Sequence, residues 1–111
     1  MIINLTPHEI AINGILIQPC GCVARCIERT TNAGDFHGRI PLILRDYGEV
    51  EDLPEPEPDT LLIVSHMVRM AQPWRTDLAS PGDLIRDADG RIIGCKNLVV
   101  NPGPPGKFEK P

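Results

Sequence analysis

Ser65, His66, Arg69 and Arg75 all fall within one stretch, "TLLIVSHMVRMAQPWR", residues 60–75. A hydroxyl, an imidazole and guanidinium groups are what proteins use to hold a phosphate or carboxylate through charge-assisted hydrogen bonds. The periodicity of the chain changes at the same place. Residues 61–64 are apolar at both parities, as in a central strand covered on both faces. The residues that follow take helical spacing and stop before Pro73. The pattern predicts a short helix over about 66–72 with Ser65 as N-cap, its hydroxyl accepting from the backbone N–H of Met67 or Val68. Met67, Val68, Met70 and Ala71 would then form the buried face, leaving His66 and Arg69 together on the open one at i,i+3. Free backbone N–H groups beside these side chains suit a small anion. Arg75 lies close in sequence, and His8 is the histidine that folding would bring in. On this expectation Arg69→Ala weakens ligand binding and leaves the melting temperature almost unchanged.

Catalysis needs more than these residues supply. Adjacent helical residues diverge by about 100°, so His66 is the wrong base for Ser65, and His8 or His37 would have to serve. The Gly-x-Ser-x-Gly frame of a nucleophile elbow is missing, with Ile63 and Met67 in the flanking positions. No phosphate-binding glycine loop or dinucleotide motif is present. The sequence therefore leans away from an enzyme, and no cofactor is expected. A small hydrolase or transferase acting on a phosphorylated or nucleotide substrate is the alternative.

The cysteines raise a third reading, a zinc-bound interaction module. In "CGCVARC" Cys20, Cys22 and Cys26 share one parity with Ala24. On a continuous strand, i and i+2 lie about 6.6 Å apart, too far for two thiolates to close on one zinc without a bend at Gly21. Cys95, the fourth thiol, lies far along the chain with the parity of Ile93, as a small core residue would. Buried thiols behaving as small hydrophobes are the simpler expectation. Asp35, His37 and Arg39 alternate in a glycine-rich stretch and read as solvent-facing.

The elements that must position these groups are short. The chain has 111 residues, with twelve Pro, ten Gly, one Trp, one Tyr and two Phe. The length fits one domain, and the core must be aliphatic. Ile, Leu and Val favour strands, and the density of Pro and Gly breaks them often. Asn13-Gly14 marks a two-residue hairpin that sets Ile10 against Ile17, Ala11 against Leu16 and Ile12 against Ile15. Asp89-Gly90 marks a second hairpin, with Gly94 a candidate bulge. Residues 31–38 read as a loop between two further strands. The sum is an α+β fold: a mainly antiparallel, curled or barrel-like sheet of about six or seven short strands with one short helix. A single domain over 1–100 is followed by a Pro/Gly-rich mobile tail over 101–111.

The net charge of −4 argues against duplex nucleic acid, which requires a concentrated basic surface. The acidic run in "GEVEDLPEPEPD" reads as a solvated, extended connection. No stretch approaches the length of a membrane span, and the first residues lack the features of a signal peptide, so a cytoplasmic location is expected.

The segments "NLTPHEI", "GRIPLILRDYGEVEDLPEPEPDTLLIVS" and "RTDLASPGDLIRDADGRIIGC" resemble a small family of uncharacterised proteins of bacteria and their phages, over most of residues 4–98. The resemblance implies no activity and assigns no residue roles. It does suggest a phage-associated protein that binds a host protein or a small molecule. The leading expectation is a non-catalytic binding protein, possibly a homo-oligomer, that engages a host protein or a small anionic ligand through Ser65, His66, Arg69, Arg75 and His8.

Overall fold

The computed structural model describes residues 1–103, so most of the expected tail, 104–111, lies outside the described residues. In chain order the elements are β1 (Ile2–Asn4), β2 (Ile10–Ile12), β3 (Ile15–Ile17), β4 (Arg25–Phe36), β5 (Ile40–Glu51), β6 (Leu61–Ile63), α1 (His66–Ala71), β7 (Leu78–Pro81), β8 (Leu84–Arg86), β9 (Ile92–Cys95) and β10 (Leu98–Val100). The class is α+β, but the expected single curled sheet of six or seven strands is not formed. Among the described residues ten strands make three separate open sheets, ordered β1-β6-β7-β10, β3-β2-β9-β8 and β4-β5. Pro7, Gly14, Pro19, Gly21 and Gly82 cut the apolar runs into three- and four-residue pieces, too short to wrap into a barrel.

The first sheet also departs from the antiparallel expectation. β1 pairs parallel with β6, and β6 parallel with β7; only β10 is antiparallel. A parallel pair needs a crossover, and α1 is that crossover between β6 and β7. β6 is central. Leu62 and Val64 pack with Leu5, Ala24, Val68 and Leu78, while Ile63 packs with Ile10 and Cys95. Its two faces thus join both parts of the core, as its run of apolar residues at both parities requires.

The second sheet is built from the two hairpins. Asn13 (φ 51°) and Gly14 (φ 77°) form the first turn, and the pairing is Ile10 with Ile17, Ala11 with Leu16 and Ile12 with Ile15. Here local turn chemistry and cross-strand apolar pairing point to one register, and that register forms. The hairpins meet at a single parallel bridge, Ile12 to Cys95. Gly94 makes the join close: a Cβ there would lie 2.7 Å from the Ala11 carbonyl oxygen.

β4 and β5 form a hairpin of their own, with strands of twelve residues each. The stretch 31–38, expected as a loop, is mostly strand. Gly34 (φ 87°) lies at the register shift between Asn32 and Asp35, so it marks a bulge within the strand. The turn itself is tighter, at His37 (φ 52°) and Gly38 (φ 67°), with the Arg39 N–H donating to the Phe36 carbonyl. No helix among the described residues is long and apolar enough to cross a membrane.

Asn4 organises the segment that carries His8. It is 1% exposed, and its Nδ2 donates to the carbonyls of His8 (2.8 Å) and Ile17 (3.0 Å). Its Oδ1 accepts from the Thr6 N–H (3.0 Å) and hydroxyl (2.7 Å). Replacing it with the similarly sized Leu would leave four buried or half-buried groups without their partner. Asn4→Leu is expected to cost about 3 kcal/mol, read by circular dichroism as a fall in melting temperature of about 10 °C or more.

Candidate functional site

Arg69 is not on the open face of α1. It is 7% exposed, and the buried residues of the helix are Val68 and Arg69, whereas Met67 and Met70 are exposed. Helical spacing alone assigns the methionines to the core. The guanidinium displaces them because it finds two acceptors beneath the helix, on Ser80 and Asn101, and a third on the helix itself, at His66. Nε donates to Ser80 Oγ (2.8 Å), Nη1 to Asn101 Oδ1 (3.0 Å) and Nη2 to His66 Nδ1 (3.1 Å). A guanidinium only donates, so His66 accepts through Nδ1 and carries its ring proton on Nε2. Among the described residues no carboxylate forms an ion pair with Arg69. Arg69 belongs to the last turn of α1, but its guanidinium reaches back to His66 at the first residue of the helix.

Asn101 completes this arrangement. Its Nδ2 contacts the carbonyls of Arg69 (3.1 Å), Gln72 (2.8 Å) and Arg75 (3.1 Å), closing the C-terminal turn while Oδ1 receives the guanidinium. It lies just past the expected domain boundary, yet it is 2% exposed.

The other residues of the helix corner have partners of their own. Ser65 caps α1, its Oγ accepting from Val68 N–H at 3.2 Å. Arg75 grips Asp77 through two bonds, Nε to Oδ1 (3.0 Å) and Nη2 to Oδ2 (2.6 Å). Ser65, His66, Arg69 and Arg75 are therefore not gathered around one open space. Arg69 points under the helix and Arg75 to Asp77.

What the fold does bring together is His8 and Ser65. Both line a groove of about 740 Å³ between the ends of β6 and β7 and the second sheet. Ile10, Ala11, Val64, Leu84, Ile92 and Ile93 supply its apolar walls, with Thr6, Glu9 and Cys95 also present. Most of its polar groups are engaged: the Thr6 hydroxyl with Asn4 and the His8 carbonyl, and Glu9 with Gln18. The His8 ring has no hydrogen-bond partner among the described residues, although its backbone is fixed by Asn4 and Thr6. Ser65 uses its oxygen in the cap and keeps its O–H as a donor.

Sequence reasoning reached His8 and Ser65 but missed the apolar walls. Ile92 and Ile93 read as ordinary strand residues, yet they are 56% and 55% exposed and border the groove. The available signal was Gly94, whose close approach to β2 brings that hairpin beside the His8 segment.

The thiols are dispersed. Cys20 and Cys22 are exposed and precede β4, so they do not share a strand face with Cys26 as one-parity spacing suggested. Gly21 (φ 99°) bends the chain between them, and Cys20 Sγ contacts the N–H and carbonyl of Cys22. Cys26 is half-buried and Cys95 buried in the core. Among the described residues no three His, Cys, Asp or Glu side chains are grouped to hold a metal ion. No protein-family model, curated protein or solved structure matches this chain.

The Arg69 geometry reverses the expectation for its removal. Arg69→Ala leaves Ser80 and Asn101 buried without their donor and is expected to destabilise by about 3 kcal/mol, lowering the melting temperature by about 10 °C or more in calorimetry. A thiol reagent added to the native protein should modify Cys20 and Cys22 at once, and Cys95 only after denaturant is added.

Proposed function

We propose that the protein is a non-catalytic binding protein that takes a small anionic ligand with an apolar body into the groove between its two four-stranded sheets. One observation carries this reading: a largely aliphatic groove edged by His8, whose backbone is fixed and whose imidazole has no hydrogen-bond partner among the described residues. Its size falls within the roughly 300–1,000 Å³ of small-molecule sites, which combine apolar walls with a few placed polar groups. The aliphatic walls favour the ligand's body through the hydrophobic effect. The His8 ring and the Ser65 hydroxyl are the groups available to a carboxylate head. A bare phosphate or a nucleotide fits this lining less well, because the arginines of the helix corner are already engaged.

A second reading has one observation in its favour. Ser65 and His8 line the same groove, so a hydrolase using Ser65 as nucleophile and His8 as base remains the alternative. Against it, no carboxylate orients the His8 ring among the described residues, and the Ser65 oxygen is already an acceptor in the helix cap.

Isothermal titration with octanoate, octanol and inorganic phosphate separates these outcomes. Octanoate is expected to bind, octanol more weakly, and phosphate not at all. His8→Ala should weaken octanoate about tenfold, equivalent to about 1.4 kcal/mol, and bring it level with octanol. Ile93→Asp should abolish both. No heat with any member of a C6–C12 carboxylate series at millimolar concentration would end this reading. Turnover of p-nitrophenyl esters that disappears in both Ser65→Ala and His8→Ala would replace it with the hydrolase.

A further inference from the structure

The segment "CGCVARC" carries two thiols that neither the groove nor the core uses. Of the four cysteines, Cys20 and Cys22 are the exposed ones, whereas Cys26 packs against the core and Cys95 lies within it. The loop that holds the exposed pair is pinned at both ends. Cys20 N–H donates to the Asn4 carbonyl (3.0 Å) and Ala24 N–H to the Leu5 carbonyl (3.1 Å). Four residues of extended strand would span about 13 Å, yet the anchors are consecutive residues, whose Cα atoms lie about 3.8 Å apart. Residues 21–23 therefore loop outward.

That loop brings one thiol onto the other's backbone. Two cysteines can be joined when their Cα atoms lie about 4.4–6.8 Å apart and their Cβ atoms turn toward each other. A straight strand leaves i and i+2 about 6.6 Å apart with parallel side chains, so closure needs a bend. Gly21 provides it at φ 99°, and a Cβ there would meet nothing within 4 Å. The glycine is thus required by the backbone and not by packing. Across it the Cys22 N–H donates to Cys20 Sγ (3.4 Å), and the same sulfur lies 3.5 Å from the Cys22 carbonyl oxygen.

A hollow of about 690 Å³ lies against the loop, and Cys22 borders it where Cys20 does not. Arg25, Glu51 and Asp52 give its rim both signs of charge, and Leu53 and Pro54 add apolar surface. A small peptide disulfide such as oxidised glutathione, with carboxylates and ammonium groups around its S–S bond, matches that mixture.

We propose that Cys20 and Cys22 form a thiol–disulfide exchange site that reduces a small peptide disulfide. Cys22 gives its proton to water, and its thiolate attacks one sulfur of the substrate. A mixed disulfide forms at Cys22 Sγ, and the first substrate thiolate leaves and takes up a proton. Cys20, deprotonated in turn, attacks Cys22 Sγ. The Cys20–Cys22 bond forms and the second substrate thiol departs. Two electrons and two protons pass from the protein dithiol to the substrate disulfide, so the exchange balances without another reductant. The second attack is intramolecular and so outruns a further substrate molecule. The hollow shares no lining residue with the groove, so this activity and ligand binding stand or fall separately.

Oxidised glutathione added to the reduced full chain, followed by acid quench, alkylation and mass spectrometry, tests the exchange. Trypsin cuts after Arg25, the first arginine or lysine of the chain, so the peptide 1–25 carries Cys20 and Cys22 alone. That peptide is expected to lose two hydrogens and escape alkylation, while two glutathiones appear per chain. In Cys20→Ser the reaction should stall with glutathione held on Cys22. Gly21→Ala has room for its methyl but not for the backbone angle, and should close the bond roughly tenfold more slowly. In that variant iodoacetamide should still label both thiols, and Cys95 should stay protected, which reports an intact fold. Glutathione accumulating on both Cys20 and Cys22 of the unmodified chain, a disulfide between two chains, or closure in Gly21→Ala at the unmodified rate would each overturn the proposal.

Discussion

A guanidinium buried with no carboxylate partner among the described residues sets the geometry of this molecule. Arg69 is charged and almost wholly withdrawn from water, so each of its bonds matters more than it would at the surface. Those bonds reach β7 through Ser80, the end of β10 through Asn101, and back along α1 to His66. The helix is only six residues long and would not persist by its own hydrogen bonds. It is held by its underside, with Val68 in the core and Arg69 in the polar network. Because α1 is the crossover between two parallel strands, its placement also fixes where Ser65 ends, at the lip of the groove.

The same device recurs with Asn4. Short strands leave many backbone groups without ladder partners, and buried asparagines supply the missing bonds. Asn4 joins the end of β1 to the His8 segment and to β3, and Asn101 joins the end of β10 to the helix. Asn97 does comparable work near the surface, its side chain accepting from the Asp83 N–H and donating to the Asp83 carboxylate. The groove follows from this construction. Two small sheets, each too narrow to cover the other, leave an aliphatic cleft where they adjoin, and the Asn4-braced segment places an imidazole beside it.

What could be read from the sequence was what local chemistry decides. Asn13-Gly14 forced a turn and the flanking isoleucines set its register. Ser65 lay where a cap was needed, and residues 61–64 had no polar face to offer solvent. What stayed hidden depended on partners distant in the chain. Nothing local distinguishes Arg69, 32 residues from Asn101, from an arginine on a solvated face, and methionines at helical spacing look like the better core. Gly34 looked like a loop residue because a bulge and a turn use glycine for the same positive φ. Of the site, His8 and Ser65 were found by residue type, but the isoleucine walls were invisible because exposure is a property of the assembled sheets.

The account places ligand binding in the groove and assigns the helix corner to structure. Amide chemical-shift mapping with octanoate on uniformly ¹⁵N-labelled protein tests this most directly. The account predicts shifts concentrated at residues 8–11 and 92–95, with the amides of 67–70 unmoved. Shifts centred on 67–70, with 8–11 and 92–95 silent, would contradict it and return the anion to the helix start.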